Sequence, residues 1–230
     1  LEEEKVEENV MQAAAQEESQ NFILHAFEVG GPVMFVILGL LILTMIVIIK
    51  QLMILKESGV DKSDFNEHIF GMILRGDVQQ AISYCDSRPS PLTNTLKAGL
   101  VQVLNKRPDE EVQVAMDASV LRETPKIEGW VSFLAVFGNL ATLLGLTGTI
   151  AGMIASFAAV TKADDAKKAE LLSKGIAEAL NCTAFGLIVA IIAILTYGYF
   201  QFKVGHLIND MVESSMSLLN LVSSNRDKIK

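Results

Sequence analysis

Three long apolar runs punctuate the chain. Val29 to Ile49 carries no charge over 21 residues, Gly129 to Thr161 none over 33, and between Lys174 and Lys203 the single charge is Glu178. At roughly 20 residues per bilayer crossing, each run is long enough to span a membrane. The pattern predicts transmembrane helices at 29–49, at 129–161 with extensions, and at 175–202, with a charged loop at 162–174 between the last two. Gly30, Gly31 and Pro32 mark the outer end of the first span, Lys50 and Lys56 its exit, and Tyr197 and Tyr199 the inner interface of the third. At about 1.5 Å per residue the second run makes a helix of roughly 50 Å, longer than the ~30 Å hydrocarbon core, so it projects beyond the membrane.

Between these runs the pattern changes. Residues 50–128 are polar and helical in period, apolar only in stripes. Ser63 and Asp64 begin one helix that ends near Arg75, and Asp77 caps another through Cys85. Arg88, Pro89, Ser90 and Pro91 read as a break before a helix from about Leu92 to Leu104. Asp109 begins a helix that runs toward the membrane with Pro125 as a kink point. After Phe202, the apolar spacing of Val204, Leu207, Ile208, Met211, Ser215, Leu218 and Val222 keeps one face of a C-terminal helix (203–230) ready for another long helix, of the same chain or of a neighbouring copy.

Composition supports a membrane class: half of the 230 residues are hydrophobic and a fifth charged. Aromatic residues are few and no ten-residue alternation occurs, which argues against a membrane barrel. The expected fold is an all-α membrane protein with three transmembrane helices whose extensions reach a small helical subdomain. Residues 1–28 hold eight glutamates and Lys5, so most of the net charge of −8 sits in that acidic tail. The rest is nearly balanced, which argues against a nucleic-acid surface. Ten lysines and arginines between 50 and 128 against one in the tail place the N-terminus outside and the middle section in the cytoplasm. No basic segment leads into an apolar core at Leu1, so no signal peptide is visible, although a cleaved one is compatible with such a tail.

Several polar residues are costly in lipid and therefore informative. On the second span these are Thr147 and Thr149, among the glycines Gly145, Gly148 and Gly152; on the third they are Glu178, Asn181, Cys182 and Thr183, with Gly186. Gly148 and Gly152, extended by Ala151 and Ala155, have the spacing that lets helix backbones approach closely. Each threonine either faces an ion pathway or bonds back to its own helix. Glu178 lies near the outer mouth, where a carboxylate either simply reaches water or, with Asn181 and Cys182 continuing inward at i+3 and i+4, suits proton exchange or brief cation binding. His25, His68 and His206 make no metal-ligand set, Cys85 and Cys182 read as free thiols, and no phosphate-binding loop or hydrolase elbow occurs. Neither an enzyme nor a cofactor is expected.

The segments GGPVMFVIL (30–38), GDVQQAISYCDSRPSPLTNTLKAGL (76–100), LLGLTGTIAGMIASF (143–157) and GIAEALNCTAFGLIVAI (175–191) resemble the ExbB, TolQ and MotA ion-channel subunits of bacterial motors. The three-span layout is closer to ExbB and TolQ. The resemblance implies an inner-membrane homopentamer whose second and third spans line a pore. That pore encloses a dimer of an ExbD- or TolR-like single-span protein, and a TonB- or TolA-like protein spanning the periplasm receives the work. It also implies that Thr149 and Thr183 are pore hydroxyls and Glu178 the pore carboxylate, with H+ as the transported ion. Thr142 stands where proline is common in such proteins, Thr147 where leucine is common, and Asn181 where an apolar residue is usual. Such extra oxygens would help strip water from Na+, or would serve as interhelical hydrogen bonds. The rival readings are a sodium-driven version of the same motor and a non-conducting membrane scaffold.

Overall fold

The computed structural model describes residues 31–59 and 62–226. The acidic tail at 1–28, the start of the first span and the last residues of the C-terminal helix lie outside them. Seven helices occur among the described residues: α1 Gly31–Ser58, α2 Lys62–Leu74, α3 Val78–Ser87, α4 Pro91–Leu104, α5 Asp109–Glu128, α6 Val131–Val160 and α7 Asp165–Ser224. No strand occurs among those residues. Three helical stretches are long and apolar enough to cross a membrane, in α1, in α5–α6 and in α7. Most of each apolar stretch is uncovered in the isolated chain, with Phe35, Ile42, Leu146, Ile154, Ile191 and Leu195 among the exposed side chains. Such surface in a folded protein requires lipid or other protein against it.

The long helices outrun the expected boundaries. α1 continues nine residues past Ile49, because Lys50 to Glu57 are helix formers, and it ends just before Gly59. The connection expected at 162–174 shrinks to Thr161–Asp164, and α7 begins at Asp165. Alanine, lysine, glutamate and leucine fill its first turns, Asp165 sits at the favoured end of the helix dipole, and Lys168 reaches Asp165 at i+3. α7 then runs unbroken to Ser224, so the third span and the C-terminal helix are one 60-residue element. Between α5 and α6 the helix is interrupted at Gly129–Trp130 rather than at Pro125, which sits inside α5.

The chain divides into two compact units, with boundaries inside α1, α6 and α7. One takes Ile46–Leu134 with Thr196–Lys230. Its core includes Phe65, Ile69, Ile73, Leu96, Leu100, Met116, Met211 and Leu218. Ser90 caps α4 through a reciprocal pair, its hydroxyl accepting from Thr93 N at 3.2 Å while Ser90 N donates to Thr93 Oγ1 at 2.7 Å. Asp77 occupies the N-cap position of α3 but makes no side-chain capping bond. α2 ends on Gly76 at φ 84, with Gly76 N donating to Ile73 O and Asp77 N to Met72 O, the pairing that closes a helix on a left-handed residue. α4 closes in the same way on Lys106.

The apolar face predicted after Phe202 is buried at Val204, Met211, Ser215, Leu218 and Val222. Its partners belong to the same chain: Thr95 Oγ1 of α4 lies 3.6 Å from Met211 Sδ, and Gly99 leaves room for Leu218 and Met116. α2 adds Lys62, bonded to Asp210 at 3.0 Å and to Glu213, and Asn66, donating to Ser214 at 2.9 Å. Gln51 of α1, fully buried, donates to the Ile127 carbonyl at 2.9 Å and so satisfies an acceptor at the end of α5.

Candidate functional site

The other unit, up to Met45 with Ala135–Leu195, holds all the candidate pathway residues. Its organising feature is a seam of small residues between antiparallel α6 and α7. A Cβ added at Gly145 would stand 3.2 Å from Thr183 Cα and 3.3 Å from Cys182 O. One added at Gly186 would meet Ala141 O at 2.7 Å, one at Gly148 would meet Cys182 Cβ at 2.6 Å, and one at Gly152 would meet Ala179 Cβ at 3.1 Å. Gly175 extends the seam by making room for Ser156. The backbones therefore approach as closely as the spacing of Gly145, Gly148 and Gly152 predicts. The expected extension through Ala151 and Ala155 does not occur, since both are exposed; Ala141 and Ser156 take that role. Residues 141, 145, 148, 152 and 156 keep one face at steps of three and four, whereas 151 and 155 have rotated off it.

Thr183 crosses the seam, its hydroxyl donating to Gly145 O at 3.1 Å. Thr149 and Thr147 instead bond back within α6, to Leu146 O at 2.7 Å and Leu143 O at 2.8 Å. At about 100° per residue, Thr149 and Thr183 are offset from the seam by roughly 50–60°, each in the same rotational sense. In an antiparallel pair of right-handed helices, offsets of the same sense fall on one side. Thr149 and Thr183 thus share a side of the α6–α7 pair.

α1 occupies the opposite side. Val33 Cγ1 lies 3.3 Å from where a Cβ on Gly148 would be, and Ile37 joins Ala141, Val189 and Ala190 in a cluster with Val33, Leu144 and Phe185 packed around it. Glu178 belongs with α1: its Oε1 fills the space a side chain on Gly31 would need, beside the helix's first turn, the end where a negative charge is favoured. Five residues separate Glu178 from Thr183, which is about 140° around α7. Within one chain the carboxylate and the hydroxyl do not meet. Thr147 points about 160° away from Thr149, and half-buried Asn181 lies about 160° from Thr183, so neither joins the two hydroxyls. Thr142 does share their side. It is exposed, lies seven residues before Thr149, and donates to Gly138 O at 3.2 Å.

Residues 87–213, more than half of the chain, match the MotA/TolQ/ExbB proton channel family. The chain belongs to that family. Thr149, Thr183, Glu178 and the seam glycines from Gly145 to Gly186 fall inside the matched segment. MotA/TolQ/ExbB proteins are channel and stator subunits rather than enzymes. Among relatives, the Tol-Pal system protein TolQ of Pseudomonas aeruginosa is 39% identical over 92 residues, 40% of this chain and 39% of that protein. The biopolymer transport protein ExbB of Pseudomonas putida is 31% identical over 118 residues, 51% of this chain and 36% of that protein. The chain thus spans about two fifths of the length of the curated relatives it matches. In fold, the chain is similar to the structure of C. jejuni MotAB, with a TM-score of 0.60 and 17% identity, covering 96% of this chain and 88% of that one.

Proposed function

We propose that the chain is the pore-forming stator subunit of a proton-driven motor, coupling ion flow across the bacterial inner membrane to mechanical work on the cell envelope. The observation that carries this reading is the shared side of Thr149 and Thr183, which puts two hydroxyl oxygens on a surface that α1 leaves uncovered. Their protons are bonded to backbone carbonyls, but the oxygens keep acceptor lone pairs that lipid cannot satisfy and a polar path can. In this reading five copies ring a central pore, each presenting that side inward, with the N-terminus periplasmic and the C-terminus cytoplasmic. The helices of two ExbD- or TolR-like single-span partners fill the pore, and a TonB- or TolA-like protein receives the work.

In this reading Glu178, packed on the α1 side at the outer end of α7, acts on the path without lining it beside the two hydroxyls, and Thr147 and Asn181 have no lining role. Thr149→Val combined with Thr183→Val should lower ion flux through the complex reconstituted in liposomes at least several-fold without loss of assembly. Unchanged flux in that double variant would leave the two hydroxyls as packing groups and favour a non-conducting scaffold. Glu178→Gln should impair the transduced work while the complex still assembles, and full activity would remove the carboxylate from the mechanism.

A further inference from the structure

We propose that Thr142 is a third hydroxyl of the same path and the residue that sets how readily Na+ enters it alongside H+. The inference rests on the pathway reading above and adds a selectivity determinant to it. Seven residues apart on α6, Thr142 and Thr149 differ by only about 20° around the helix and by roughly 10 Å along it. Thr183, bonded to Gly145 O, falls between them in height. The three oxygens stand at successive levels about 4–6 Å apart on one side of the α6–α7 pair, counted as three and four residues of rise.

The hydrogen bonds decide what this file can do. Thr142 donates to Gly138 O, Thr149 to Leu146 O and Thr183 to Gly145 O, so each hydroxyl proton is already used. With its proton held by a backbone carbonyl, each oxygen can meet a further group only as an acceptor. Acceptor oxygens are what a partly dehydrated cation needs in place of water. Around these levels the wall is apolar, with Leu146, Leu187 and Ile194 exposed on the same side. A carbon side chain at position 142 would lengthen the dry stretch inward of Thr183, and that costs a metal cation more than it costs a proton passed between protonatable groups. Thr147 and Asn181, the other two additional polar residues, face elsewhere. Of the three, Thr142 alone adds an oxygen to the path.

The test compares Na+ and H+ flux through the complex, purified with its native partners and reconstituted in liposomes, for the unsubstituted chain, Thr142→Val, Thr142→Ser and the Thr149→Val, Thr183→Val pair. Thr142→Val should lower the ratio of Na+ to H+ flux by roughly three- to tenfold, the equivalent of one hydrogen bond, and Thr142→Ser should restore it. A merely structural role would move both fluxes together or would not be rescued by serine, and either result overturns the proposal. If the double variant loses flux while Thr142→Val leaves the ratio unchanged, the path stands and Thr142 is not part of it. If the double variant conducts normally, or the unsubstituted complex carries neither ion, the pathway reading itself fails and the proposal with it.

Discussion

Thr183 donates its hydroxyl across the helix pair to the main-chain oxygen of Gly145, 38 residues away in sequence and 3.1 Å away in space. That bond is possible because neither Gly145 nor Gly186 carries a side chain where the two backbones meet. In lipid such a bond between helices is worth about 0.6–2 kcal/mol. Thr183→Val should therefore lower the melting temperature of the detergent-solubilised protein by that amount of stability, and Thr183→Ser should restore most of it. Equal melting of the valine and serine variants would show that the hydroxyl contributes nothing to the pairing.

Gly186→Ala places a Cβ 2.7 Å from Ala141 O and 2.9 Å from Gly145 Cα. Both obstacles are backbone and cannot rotate aside, so the helices must separate locally. The expected cost is about 1–3 kcal/mol. Gly198→Ala, on the same helix with nothing within 4 Å, is the control and should change stability by less than about 0.5 kcal/mol. Thermal melts that fail to separate the two substitutions would refute a close seam.

Lys62 is held above the ordinary lysine range, first by its hydrogen bond to Glu213 and next by that to Asp210. A base whose pKa rises on folding contributes stability that is whole below its unfolded value of 10.5 and fades as pH climbs through the raised one. Docking of α2 on α7 should accordingly weaken above about pH 10.5, and Lys62→Met should remove that alkaline step. Hydrogen exchange of the α2 amides against pH, in both proteins, measures it.

Burial pushes the Cys85 thiol up to about 12 from 9.0, with the neighbouring Asp86 carboxylate adding to the effect. Its folded state favours the protonated thiol, so this contribution is present below pH 9 and declines as pH rises beyond it, the same sign as for Lys62. The thiolate is the reactive form. Maleimide should label Cys85 far more slowly at pH 7.5 in the folded protein than in denaturant, read by peptide mass. Equal rates would contradict its burial.

Much of this was legible in the residues taken alone. Charge-free runs longer than a bilayer crossing leave little choice but membrane helices, and the steps of three and four among Gly145, Gly148 and Gly152 identify a face that wants a close neighbour. The 88–91 break and the apolar period from Val204 to Val222 are likewise local signals, and the helices obey them. The loop expected at 162–174 is helical from Asp165 because alanine, lysine and glutamate favour a helix wherever water can solvate it, so charge between two spans does not by itself make a connection. The five-residue step from Glu178 to Thr183 already separates the two around α7, but only packing says which side each takes.

Period determines which residues travel together on one helix; it carries no information about which helix they meet. That three helices are long enough to span a membrane and that Gly145, Gly148 and Gly152 make one face for close approach follows from the order of residues, because each is a statement about one segment's own length and spacing. That α1 covers the Glu178 side and leaves Thr142, Thr149 and Thr183 open, and that the C-terminal helix packs on its own chain, depends on contacts between segments far apart in sequence. Those are settled only when all the side chains compete for the same space.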